Sequence, residues 1–239
     1  MAKPKDKDRR AVVEQMRKEQ QRAEKRRTRL IILACAIVAI AIIAFPAYQL
    51  IKQESISAGE LETIGVPAGQ AGCQDIITET AQGMNDHREI GTQVTYQDSP
   101  PAYGPHYPQT AGFSRKFYSP SDRPELEYLV HNLEHGYNIL WYDGTIANDA
   151  DALAAVKGIA SKFEGTEPTD KFIAAPWTEE DGAPFPDGAH VALTHWSLGD
   201  PEKQEQAGVW KYCDKPSGEV VADFVEEYPY TDSPEPNAI

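Results

Sequence analysis

Leu30–Ile51 is the segment that most restricts what this chain can become: LIILACAIVAIAIIAF followed by PAYQLI. Its uninterrupted apolar core, Leu30–Phe45, is about 16 residues, a little under the roughly 20 that a helix needs to cross a bilayer. The next six residues complete the span, with Tyr48 placed as an interfacial anchor. Pro46 falls near the outer end, where a kink is tolerated. A cleaved signal peptide is the competing reading, but the preceding basic segment is long and no small-x-small site follows Phe45. Cys35 has too few apolar residues before it for a lipoprotein signal. An uncleaved single-pass anchor is the expectation.

Charge sets the expected orientation. Residues 1–29 hold 12 Lys/Arg against 5 Asp/Glu and read as a basic helical arm. By the positive-inside rule this arm is cytoplasmic, lying against anionic headgroups, with the C-terminal part outside the plasma membrane. Of the 23 Lys/Arg and 37 Asp/Glu in the chain, 11 and 32 remain for residues 30–239, a balance of −21. Such a surface repels nucleic acid and attracts cations or a basic partner, so an envelope protein partner stays open.

Cys73 and Cys213 flank the outer part, and outside the membrane they are expected to form one disulfide. A pair of thiolate metal ligands is the rival, without a CxxC to support it. The expected organisation is an arm at 1–29, an anchor at 30–51, a stalk at 52–70, an α+β domain at 71–229 and a disordered tail at 230–239.

Within the domain, Thr92–Tyr96 alternates like a strand. The proline-rich Ser99–Pro108 cannot continue it and reads as a structured loop. A helix is expected from Asp122, with Asp122 and Glu125 spaced as a capping box. Leu126, Leu129, Val130 and Leu133 recur at helical spacing, and Gly136 supplies the stop. Tyr137–Tyr142 reads as a buried strand and Asp149–Phe163 as a second helix. Lys171–Ala175 and His190–Trp196 read as strands, and Ser217–Tyr228 as a third helix. The order β-α-β-α-β-β-α implies an α+β fold around a small mixed sheet. Thioredoxin-like folds share that order, but their CxxC is absent.

The chemistry concentrates in VHNLEHG, Val130–Gly136. His131 and His135 are i, i+4 neighbours, so their imidazoles share one helix face. At about 100° per residue they lie roughly 140–180° round from the apolar stripe. The spacing is that of a zinc helix, but Asn132 stands where HExxH requires glutamate. His106, in the stiff loop PPAYGPHYP, is the expected third ligand, since zinc and copper both accept three imidazoles. Glu134 would ligate or orient. His87 is a weaker candidate, and His190 and His195 lie on or beside a late strand. The four tryptophans read as core rather than as a sugar platform. No GxSxG, P-loop or GxGxxG is present, so no enzymatic reaction is named by motif.

PPxxGPHY followed by VHNLEHG and a WY strand resembles an uncharacterised bacterial family, domain-of-unknown-function family three-one-zero-five. The resemblance covers Val94–Tyr228 and maps onto Pro100, Pro101, Gly104, His106, His131, Leu133, Glu134, His135 and Gly136. Many relatives carry Ala-Trp-Gly after the late strand; here the place reads THWSLGD, with Ser197 after Trp196. The resemblance implies a membrane-anchored envelope protein and supports this choice of site without supplying an activity. Three readings stay open: a copper or zinc site on His106, His131, His135 and Glu134; an interaction module in which the same residues are a packing network; and a metal-dependent hydrolase.

Overall fold

The computed structural model describes residues 4–58, 60–81, 86–186, 188–200 and 205–238. They fall into two compact units, Met1–Lys52 and Gln53–Ile239. The first unit is one long helix, α1 (Pro4–Ala58). Its Met16–Ala44 stretch contains an 18-residue window of mean hydropathy 2.3 and is long and apolar enough to cross a membrane. Ile31, Ile37 and Ile43 are exposed along it. That length and composition suit a membrane anchor or a signal sequence alike. The side chain of Tyr48 lies outside the described residues.

The second unit is an α+β domain on a five-stranded mixed sheet. Its strands are β1 (Ile77–Thr80), β2 (Asn138–Tyr142), β3 (Phe172–Pro176), β4 (Val191–Asp200) and β5 (Glu205–Cys213), in spatial order β1-β5-β4-β2-β3. Only β2 and β3 pair in parallel. Between these two run the short α3 (Gly144–Asn148) and the longer α4 (Ala150–Ser161), each N-capped by an aspartate carboxylate, Asp143 and Asp149. A parallel pair requires such a crossover.

Period-two alternation divides β2 between two cores. Leu140 and Tyr142 face one, with Val156 and Ile159 of α4 and Val221 and Phe224 of α5 (Gly218–Glu227). Ile139 and Trp141 face the other, with Leu129, Val130 and Leu133 of α2 (Leu126–Glu134). A strand covered on both faces reads as a continuous apolar run, which is why YNILWY stands out. All four tryptophans are buried.

Several expectations need correction. Thr92–Tyr96 is not a strand. Its polar backbone is met instead by side chains, the Val94 amide donating to Glu127 Oε1 and the Tyr107 hydroxyl to Thr92 O. Helix α2 starts at Leu126, with no side-chain cap. Pro124 disfavours helical geometry at Arg123, and the Asp122 carboxylate accepts from the Ser119 amide and hydroxyl instead. Two strands escaped the reading. β1 is a short, fully exposed edge. β5 carries Gly208 in its interior, where a Cβ would come within 2.4 Å of the Tyr103 ring; glycine masks a strand signal.

The segment read as a stalk joins the domain. Ile64 and Ala71 are buried, and the Gly218 amide donates to Ile64 O. The tail read as disordered is packed too. Lys171 Nζ donates to His135 O, Pro236 O and Ala238 O, each at 2.8 Å. Asp232 accepts from Ser197 Oγ and the Leu198 amide. The polar composition that suggested disorder instead supplies these bonds.

Gly136 ends α2 with φ +90°, and a Cβ there would lie 2.3 Å from Tyr230 O. Gly136→Ala therefore meets both backbone strain and the tail, and is expected to cost about 1–3 kcal/mol; urea unfolding checks it. Cys73 and Cys213 form a disulfide that closes 140 residues. Replacing both with serine is expected to cost about 2–5 kcal/mol by the same assay.

Candidate functional site

Every residue of helix α2 is buried except Tyr128, which is partly exposed. Its apolar stripe faces the sheet, while Glu127, His131, Asn132 and Glu134 are buried under other chain segments. The proline-rich loop is one of these. Asn132 clamps it, accepting from the Ala111 amide at 2.9 Å and donating to Ala111 O at 3.1 Å. This is the role of the residue that separates VHNLEH from the HExxH pattern. On its other side the loop is held by Trp210 Nε1 donating to Pro100 O and by Tyr96 donating to Pro105 O. Gly104, at φ +132°, lies against the Tyr96 ring.

The clamp sets His106 over α2. A second segment joins through a two-residue bridge: the His106 amide donates to Asp86 O, and the Arg88 amide to His106 O. That bridge brings in His87. Donor atoms of His87, His106, His131 and Glu134 all lie within 4.8 Å of one another. The His106 and His131 ring centroids are 4.8 Å apart, and His87 is 4.9 Å and 5.3 Å from them. The carboxylate of Glu134 stands in the middle. Its Oε2 is 2.9 Å from His106 Nε2, 3.9 Å from His131 Nε2 and 4.0 Å from His87 Nε2.

Two backbone carbonyls determine how the inner histidines are protonated. His106 Nδ1 is 2.8 Å from Gly104 O and His131 Nδ1 is 2.6 Å from Tyr107 O. A carbonyl only accepts, so both Nδ1 atoms carry the proton and, in the neutral rings, both Nε2 lone pairs point at Glu134. The 2.9 Å approach lacks hydrogen-bond geometry, and both Glu134 oxygens are buried without a hydrogen-bond donor. Two lone-pair-bearing atoms so close repel unless a proton or a metal cation lies between them. Backbone carbonyls that orient imidazoles this way are the usual support of histidine metal ligands.

His135 is placed differently. Its ring is 4.4 Å from His131, but its Nε2 faces Glu235 Oε2 of the tail at 3.5 Å. Glu134, His135 and Glu235 make a second group of converging donors. The structure thus gathers His106, His131 and Glu134 as expected, adds His87, and sets His135 beside them with Glu235. His87 was legible only as a lone histidine in NDHRE, because an isolated bridge has no periodicity. Glu235 gave no signal in a segment read as disordered. The remaining histidines serve elsewhere: His190 pairs with Asp143 at 2.8 Å, and His195 donates from Nε2 to Asp232 O.

Burial pushes the His131 imidazole below its ordinary value, and neighbouring His106 adds to this. Burial pushes His135 down to about 4, aided by His131. Burial alone would raise the Glu134 carboxyl, but wherever the imidazoles are protonated, His106 foremost, they outweigh it and hold it below the ordinary carboxylate range. The sign follows from proton counts. Between about 4 and the ordinary histidine value near 6.5, the unfolded chain holds more protons at His135 than the folded one. Stability contributed there is present above 6.5 and lost as pH falls. Glu134 adds loss in the same direction. Chelator-treated protein is expected to lose stability from pH 6.5 to 4, with a shallower slope in His135→Gln. Urea midpoints across that range check it; equal slopes would refute the assignment.

No curated protein and no solved structure matches the chain. A family match covers residues 87–239, which include the four clustered donors, His135 and the whole packed tail. The chain therefore belongs to the family described as Protein of unknown function (DUF3105).

Proposed function

We propose that this protein holds a divalent transition metal, zinc or copper, in its C-terminal domain through His87, His106, His131 and Glu134. The observation that carries the reading is the 2.9 Å approach of His106 Nε2 to Glu134 Oε2, with the Nδ1 proton committed to Gly104 O. A buried carboxylate with no donor is costly, and a cation ligated by both atoms removes the cost. Three imidazoles and one carboxylate suit zinc or Cu²⁺, whereas soft Cu⁺ prefers thiolate or thioether. Donors around tetrahedral zinc sit about 3.3 Å apart, so the 2.9 Å pair opens slightly and the contacts of 3.9 and 4.0 Å to His131 and His87 close by less than about an ångström. His87 is the exposed member, its side chain 43% accessible, and gives the metal its route to solvent.

The basic arm and the apolar part of α1 support a single-pass anchor with the domain outside the cytoplasm. The Cys73–Cys213 disulfide supports the same side, since such bonds persist in oxidising compartments.

The test is full-length protein in detergent, stripped with chelator and dialysed against Zn²⁺ or Cu²⁺. Wild type is expected to retain metal and to melt higher. Stabilisation follows RT ln(1 + [L]/Kd), about 4 kcal/mol at a thousandfold excess over Kd. The His106→Ala, His131→Ala double variant is expected to lose that metal-dependent gain. Equal metal content and equal melting shifts in the two proteins would remove the reading. A packing network alone would instead show lower stability of the double variant without metal and no shift in wild type.

A further inference from the structure

Glu134 belongs to both groups of converging donors. It is fully buried, and neither of its oxygens has a hydrogen-bond donor. A carboxylate serving one ion needs one oxygen; Oε2 meets His106, and neither oxygen has a hydrogen-bond donor, while histidines of both groups converge on the carboxylate. In one group stand His87, His106 and His131. In the other stands His135, with its side chain only 8% accessible and its Nδ1 without a partner. Facing His135 is Glu235, whose Oε2 lies 3.5 Å from His135 Nε2.

Glu235 is held where it can ligate. Its own amide donates to Glu134 O at 2.9 Å. The carbonyls of Pro236 and Ala238, just beyond it, are gripped by Lys171 Nζ. The Lys171 ammonium is thereby spent on three carbonyls and makes no ion pair with Glu235 or Glu134. Gly136, next to His135, allows the Tyr230 backbone to pass close enough for the tail to return over the helix end.

We propose that Glu134, His135 and Glu235 form a second divalent-metal site and that the Glu134 carboxylate bridges two ions. The inference rests on the metal-binding reading of the His87, His106 and His131 side. Carboxylate-bridged pairs hold their ions about 3.5–4 Å apart. Here one ion binds within the loop-covered cluster and the other fastens the tail to α2. The tail is thus a metal-linked strap, and its docking responds to metal supply.

The experiment is metal content of the full-length protein in detergent after equilibration with Zn²⁺. Wild type is expected to hold two ions per chain, and Glu235→Ala and His135→Ala one each. Equilibration with Cu²⁺ is expected to give spin-coupled paramagnetic resonance in wild type and an uncoupled signal in Glu235→Ala. Hydrogen exchange at the Glu235 amide is expected to slow on zinc addition in wild type only. One ion in both wild type and Glu235→Ala overturns the second site and leaves the first. One ion in wild type and none in Glu235→Ala overturns the first and leaves the site at Glu235. No ion in wild type overturns both.

Discussion

The candidate site of the C-terminal domain is arranged around a nine-residue helix that leaves only Tyr128 partly exposed. A surface helix needs one apolar stripe and is free on the other side. Helix α2 buries its stripe against Ile139 and Trp141, and buries its polar side as well. Each polar side chain there then needs a partner, because burial without one costs about 1–3 kcal/mol. Asn132 finds it in the backbone of Ala111, Glu127 in the Val94 amide, and His131 in Tyr107 O. These bonds are what hold an irregular, proline-rich segment in a single conformation. Glu134 is the exception, and the exception lies where four ionisable side chains meet.

The elements legible in the sequence are those with a period. The strand pattern of β2 and the helical stripes of α2 and α4 each express a regular contact with the sheet. Gly136 was readable as a helix stop because only a residue without Cβ takes that φ easily. Its second role, making room for Tyr230 O, was not, since nothing in the local sequence points to a segment almost a hundred residues away. β5 was lost for a related reason: Gly208 answers a distant ring, Tyr103, and breaks the pattern of its own strand.

The site follows the same division. His131, Glu134 and His135 were placed by helical spacing, and His106 by the stiffness of its loop. The spacing also suggested that the two helix histidines point together, whereas the structure puts them in different groups of converging donors. Rotation by four residues leaves them adjacent, but the segments packed over the helix differ at its two ends. His131 meets the His106 loop and the His87 bridge, while His135, at the last turn, meets the tail. Which group of converging donors each histidine joins is decided by its cover and not by its face.

That cover explains why stabilisation and function are hard to separate in this domain. The loop packs Ala102 and Tyr103 on the core, but no residue of the 86–88 segment or the tail belongs to either core, and the backbone hydrogen bonds of these segments are individually worth about 1 kcal/mol. Their ordering costs more than that per residue in conformational entropy. The disulfide holds the two ends of the domain, but none of these three segments. What the three share is the carboxylate of Glu134 or its backbone, reached by His87, by His106 and by the Glu235 amide. A cation at that carboxylate would draw all three toward α2 at once. The same ligands without it leave a buried charge and mutually repelling lone pairs, so the segments that build the site are also those most exposed to its loss.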